Sequence, residues 1–270
     1  GLRPDRFSKA LDSGADIVCI DIEDAVPLPR KEEARGLTFP LFATDGPANV
    51  ETMVRVNPIS TPDGLRDILA LLEAEKPPKA LMLAKPGSAA EIRLYDELLQ
   101  GSCSDIRFHV IIESTEGLAN VMEIADASSR IESLLFGAVD MSADLRAAKT
   151  WETMLYARSR VVHAAARFDL DLLDVPYLNL DDQNGLEEEA KMSAALGFTG
   201  KASIHPKQIP IINSVFSPTP ALVDRARRIL EEFESDETGL VVVDGELIER
   251  PVIRSMQRVV VIADYLDGKH

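Results

Sequence analysis

Seven short, almost continuously apolar runs, each followed by a stretch with helical periodicity, restrict what this chain can fold into. They lie at residues 16–21, 52–56, 80–84, 108–112, 133–136, 170–173 and 199–203. Apolar runs of this length fit parallel strands covered on both faces, and strict strand–helix alternation builds a parallel sheet. The intervening helices announce their starts. Thr61-Pro62 reads as an N-cap followed by proline at the first helical position. Ser88-Ala89-Ala90-Glu91 has capping-box spacing ahead of Ile92, Leu94 and Leu98. Thr219-Pro220 opens a helix carrying Leu222, Ala226 and Ile229.

The expected fold is α/β, a TIM (β/α)8 barrel over residues 1–216. Because the chain opens on a helix at residues 5–11, the first strand is expected to lie before Gly1. An open doubly wound sheet is the alternative, but no Gly-rich dinucleotide fingerprint follows any strand. Beyond Phe216 the alternation stops, and residues 217–270 read as a C-terminal extension. A charged helix ends near Glu237, and a hairpin pairs residues 240–243 with 246–248 through a type I′ turn at Asp244-Gly245. A last helix spans 251–266, and the extension as a whole is expected to be a lid or subunit contact.

A formal net charge of −16 argues against nucleic acid or an anionic membrane as the main partner. No apolar stretch reaches the roughly 18 residues of a spanning helix, and no signal-peptide pattern opens the chain. The two cysteines, Cys19 in a core strand and Cys103 in a loop, suggest a cytoplasmic protein, with Cys19 as a buried free thiol.

Chemistry is expected where strands end. Glu113 closes the run Val110-Ile111-Ile112, and Asp140 follows Phe136-Gly137-Ala138-Val139. Carboxylates at the carboxyl ends of adjacent barrel strands face the region where barrel enzymes assemble their sites. Two of them suit Mg²⁺, which takes one or two protein carboxylates beside water and substrate; the bland alternative is that each caps the next helix. Asp21-Ile22-Glu23-Asp24 closes the first run, either as a solvated loop with an N-cap or as outer support, through Glu23 and Asp24, for metal-bound water. Arg55, inside a strand, needs a partner. It either neutralises Asp21 or Glu23 or grips a substrate carboxylate. Lys85 reads as a charge partner, His205 as a structural hydrogen-bonder with general base as the alternative, and His109 as a satisfied core residue. His163 and His270 carry no site signal. Arg3, Arg6 and Lys9 form a basic cluster in an acidic chain, either an ordinary helix surface or a patch for a polyanionic ligand. No serine or cysteine stands in a nucleophile elbow.

Taken together, these segments resemble the citrate lyase β-subunit-like acyl-CoA lyases. The resemblance runs through Arg3-Pro4-Asp5-Arg6-Phe7-Ser8-Lys9-Ala10, Asp21-Ile22-Glu23-Asp24-Ala25-Val26 and Val54-Arg55-Val56-Asn57. It continues through Ile111-Ile112-Glu113-Ser114, Gly137-Ala138-Val139-Asp140 and Gly200-Lys201-Ala202-Ser203-Ile204-His205-Pro206. It implies a barrel with a C-terminal extension that caps a neighbouring subunit, in homotrimers or hexamers. It implies Mg²⁺ on Glu113 and Asp140, Arg55 facing the keto acid, and Arg3 and Lys9 at the phosphates of coenzyme A. The implied activity is Mg²⁺-dependent retro-Claisen cleavage of a small 3-hydroxyacyl-CoA such as (S)-citramalyl-CoA or malyl-CoA. Citryl thioesters, a pyruvate-type class II aldolase reaction and a non-catalytic subunit are the alternatives. Backbone amides around Gly137 and Ala138 are expected to orient the acid. Where the family usually places an aspartate as acid/base, this chain has Glu249.

Overall fold

The computed structural model describes residues 1–44, 46–235 and 241–268. The chain divides into two compact units, Gly1–Ile212 and Asn213–His270. The first is built on seven parallel strands hydrogen-bonded in sequence order: β1 (Ile17–Asp21), β2 (Glu51–Val56), β3 (Ala80–Leu83), β4 (Arg107–Ile112), β5 (Ile131–Phe136), β6 (Asp171–Asp174) and β7 (Gly200–Lys201). Every strand expected from the apolar runs is present. The helices that separate them are α1 (Phe7–Leu11), α2 (Lys31–Thr38), α3 (Pro62–Leu72), α4 (Ala89–Leu98), the short α5 (Thr115–Ala119) and α6 (Val121–Ala125), α7 (Ala138–Asp144), α8 (Trp151–Arg167), α9 (Gln183–Leu196) and α10 (Ile209–Phe216). This is the (β/α) barrel architecture with seven of its strands, β1 and β7 forming the two edges of the sheet.

Two faces of the sheet divide the apolar residues. Met53, Ala80, Met82, Ile111 and Leu135 meet on the concave side, with Ile17, Leu173 and Ala202 against them. Val54, Leu81, Val110, Leu134 and Leu172 alternate with these and are buried towards the helices. Each such side chain contributes about 1.5–3 kcal/mol by leaving water. Cys19 pairs in register with Met53 and shares the concave side, yet it is exposed rather than buried. Among the described residues β1 pairs only with β2. Cys103, expected in a loop, is the buried cysteine, in a 3-10 turn.

Local signals were honoured unevenly. Thr61 Oγ1 accepts the Gly64 N–H at 3.1 Å and Pro62 opens α3. Ser88 makes no cap bond to α4; instead the Glu91 carboxylate accepts the Gly87 N–H at 2.6 Å, one residue earlier than a capping box requires. The expected strand at 199–203 shortens to Gly200–Lys201 because Ser203 and Ile204 turn to bond Gln208 Oε1, each at 3.1 Å.

A buried polar network joins β6, β7, α8 and α9. Lys201 Nζ donates to Asp174 Oδ2 at 3.0 Å, to the Val175 carbonyl at 2.7 Å and to Glu189 Oε1 at 2.7 Å. Arg158 Nε and Ser193 Oγ fill the remaining acceptors of Asp174 at 3.0 and 2.6 Å. The Arg158 guanidinium also lies over the rings of Trp151 and Phe136.

The second unit contains α11 (Pro220–Ser235), a hairpin of β8 (Val241–Val243) and β9 (Glu246–Ile248), and α12 (Arg250–Asp267). Asp244 and Gly245 both have positive φ, as a type I′ turn demands. Ile229, Val243, Ile248 and Ile253 form its core. Glu237, Leu240 and His270 lie outside the described residues. Among the described residues, no helix is long and apolar enough to cross a membrane.

Candidate active site at the carboxyl ends of the strands

Strand register places the charged residues of the first unit side by side. Asp21 pairs with Arg55 across β1 and β2, and Ile112 pairs with Phe136 across β4 and β5. The chain therefore leaves neighbouring strands at Asp21–Asp24, at Lys85, at Glu113 and at Gly137–Asp140. Glu113 is 4% exposed. Burial first, and then the charge of Asp140, push its carboxyl up to about 8, against the opposing pull of Lys85 and Arg55. Asp140 sits in the first turn of α7, with its side chain 43% exposed. Sequence reasoning placed these two acids together, and the structure brings them into electrostatic contact.

Arg55 is paired in this structure. Its Nε lies 3.0 Å from Asp21 Oδ1, one terminal nitrogen bonds Asp21 Oδ2, and the other is 3.3 Å from Glu23. Asp21 accepts the Glu23 and Ala25 N–H groups as a turn residue, while Glu23 is buried rather than solvated. The loop does not cap α2, whose first residue follows Arg30 without a side-chain cap.

Lys31, which sequence reasoning did not single out, supports this loop from behind. Its ammonium donates to the carbonyls of Ile22 and Glu23 at 3.0 and 2.6 Å and to Asn57 Oδ1 at 2.6 Å. Asn57 in turn donates to Asp67, which Arg35 holds at 2.6 Å. The signal available was a lysine and an asparagine at the ends of apolar elements, too common to assign without the fold.

Lys85 is the larger surprise. Its N–H donates to Glu113 Oε1 at 3.1 Å, and its Nζ donates to Glu23 at 2.7 Å and to Asp24 at 2.8 Å. The same ammonium is 3.9 Å from Asp140. One residue thus touches four carboxylates.

Gly137 is required by close approach. A Cβ there would stand 2.4 Å from Glu113 Cβ and 2.8 Å from its Oε2. Its N–H donates to the Ile112 carbonyl at 3.0 Å, so its contribution to the site is the missing side chain. Gly137→Ala is expected to displace Glu113, costing about 1–3 kcal/mol of stability and most Mg²⁺ affinity. Calorimetric titration beside a denaturant melt checks this, and wild-type Mg²⁺ affinity in the variant would contradict it.

Among the described residues, no group of three or more His, Cys, Asp and Glu side chains is arranged to hold a metal. The donors present still fit Mg²⁺. They are hard carboxylate oxygens, two in number, one pressed towards neutrality by burial first and then by the charge of the other. A divalent cation relieves that repulsion.

Residues 1–206 match the HpcH/HpaI aldolase/citrate lyase family. The chain belongs to this family. It is similar to the citrate lyase subunit beta of Leuconostoc mesenteroides subsp. cremoris, 31% identical over 93% of this chain and 86% of that one. It is similar also to the L-malyl-CoA/beta-methylmalyl-CoA lyase of Rhodobacter capsulatus, 32% identical over 96% and 91%. Among solved structures, CitE of Mycobacterium tuberculosis, in complex with magnesium, acetoacetate and coenzyme A, matches with a TM-score of 0.79 and 30% identity. That match covers 97% of this chain and 94% of the other.

The remaining residues expected in an HpcH/HpaI site have the following surroundings. Arg3 is exposed and bound through two nitrogens to Asp5 at 2.8 and 2.7 Å, and Lys9 is exposed on α1. No described contact joins either to Glu113 or Asp140. Glu249, in the second unit, is exposed at the N-cap position of α12 and makes no cap bond. His205 Nδ1 accepts the Lys207 N–H at 3.1 Å, a structural role as expected. His109 is buried with Nδ1 2.7 Å from Ser133 Oγ and Nε2 3.2 Å from Glu51.

Proposed function

We propose that this HpcH/HpaI chain is a Mg²⁺-dependent carbon–carbon lyase that cleaves a small 3-hydroxyacyl-CoA, (S)-citramalyl-CoA or malyl-CoA, to acetyl-CoA and pyruvate or glyoxylate. The observation that carries the reading is the Glu113–Asp140 pair, a buried carboxylate just past β4 and a half-exposed one in the first turn of α7, the helix that follows β5. The malyl-CoA lyase relative, and the neighbour holding magnesium and coenzyme A, support the same class of substrate.

Glu113 and Asp140 would hold the ion. Bound there, Mg²⁺ supplies Lewis acidity towards the hydroxyl and carboxylate oxygens of the hydroxy-acid end. Arg55, fixed by Asp21 in a partly buried position, sets a permanent positive charge beside that end, where a carboxylate and a developing carbonyl are stabilised. The carboxylate of Glu249 from a neighbouring copy, acting first as base, would take the hydroxyl proton; the alkoxide becomes the keto-acid carbonyl as the C–C bond breaks, its electrons passing to the thioester as an enolate. The enolate then takes a proton to become acetyl-CoA. Glu249 of a neighbouring copy is the proposed donor, and Arg3 and Lys9 the proposed partners of the coenzyme phosphates. Assembly as a trimer or hexamer belongs to this proposal.

The test is turnover of malyl-CoA, citramalyl-CoA and citryl-CoA by the purified chain, with Mg²⁺ and with chelator, following release of acetyl-CoA. Cleavage of one of the first two, lost with chelator, is expected. Cleavage of citryl-CoA alone would move the assignment to the citrate lyase side of the family, and no cleavage of any would refute it. The methyl that separates citramalyl from malyl is worth about 1–3 kcal/mol in a pocket.

A further inference from the structure

Lys85 combines two unusual features. It is a non-glycine residue in the left-handed region, with φ of 53°, and it directly precedes Pro86. Side chains other than glycine rarely adopt this conformation, and a following proline restricts the residue further, towards extended backbone. A backbone held in such a state persists only where its surroundings over-determine it, and such outliers gather at functional sites. Here the surroundings are four acids: the backbone N–H on Glu113, the ammonium on Glu23 and Asp24, and Asp140 3.9 Å beyond. The Lys85 side chain is 30% exposed, so the acidic cluster does not enclose it fully.

We propose that Lys85 is a positioning residue that acts as the built-in counter-cation of the carboxylate site, neutralising Glu23 and Asp24 and thereby weakening the attraction of Glu113 and Asp140 for a divalent ion. The proposal rests on the reading of Glu113 and Asp140 as the Mg²⁺ pair. Its physical content is Coulombic. A single positive charge a few ångströms from the ion's position opposes a doubly charged cation, and removing it also uncovers two negative charges. Without it, the site binds Mg²⁺ too firmly for an ion that must share its coordination with an incoming and departing substrate.

The experiment is Mg²⁺ binding to the substrate-free full chain by isothermal titration calorimetry at one fixed pH, with circular dichroism melts to establish folding. Lys85→Met keeps the length and removes the charge, and Mg²⁺ affinity is expected to rise about tenfold or more at low salt. The gain should shrink as ionic strength rises. Lys85→Gly removes the charge while giving the left-handed backbone to the residue that adopts it freely, and the same tightening is expected. Lys85→Arg retains the charge and should bind as the wild type does. A folded Lys85→Met or Lys85→Gly chain with unchanged or weaker Mg²⁺ binding overturns the proposal and leaves the carboxylate pair standing. So does a Lys85→Arg chain that tightens as much as Lys85→Met. A wild-type chain that does not bind Mg²⁺ overturns both.

Discussion

Glu113→Gln is expected to lower kcat/KM for Mg²⁺-dependent acyl-CoA cleavage by more than about 100-fold, since even outer-shell changes at metal sites cost 10–100-fold. Glutamine keeps the shape against Gly137 and the acceptor for the Lys85 N–H, but it cannot supply a charged oxygen. Retained turnover would remove Glu113 from the metal site. The same substitution has a signature in stability without metal. Glu113 rises from its ordinary 4.5 to about 8, so the native chain keeps a proton that the unfolded chain has released. Stability contributed by that proton is full below about pH 4.5 and declines as pH climbs towards 8. The decline is on the order of a few kcal/mol. In the glutamine variant this slope is absent. Denaturant titrations of metal-free protein at about pH 5 and about pH 8 measure the difference, and parallel slopes would mean that native Glu113 is already ionised.

Lys201→Met is expected to be the most damaging single change to the fold, at about 3–5 kcal/mol, because it removes one member of a buried ionic network. Lys201 and Asp174 have side chains that water does not reach. Burial alone would raise the Asp174 carboxyl, yet Lys201 and Arg158 hold it below the ordinary carboxylate value. After the substitution, Arg158 and Ser193 remain, but the Val175 carbonyl and Glu189 lose their donor. The midpoint of urea unfolding reads the cost. A loss below about 1 kcal/mol would place this network with exposed ion pairs in energy.

The barrel was legible in sequence because its strands are buried on both faces, which writes them as continuous apolar runs that no amphipathic helix imitates. Strand ends were nearly as legible, and Glu113 does follow β4 directly; Asp140 instead lies in the first turn of α7, four residues past the end of β5. Lys85 was not legible as a hub. Its weight comes from a left-handed backbone and from partners up to 62 residues away, and neither leaves a local pattern. At Ser88 the expected spacing was present and the bond was not, because Glu91 found the Gly87 amide instead.

The pairing of Asp21 with Arg55 has a consequence for how the chain finds its fold. The two residues are exact partners in the β1–β2 register, on the face that carries Met53. Sliding one strand by a single residue would turn Arg55 into the apolar helix layer while Asp21 stayed behind, stranding a charge on each side. A slipped register is therefore penalised electrostatically as well as by misplaced apolar side chains, so the ion pair helps to specify strand alignment with no ligand bound.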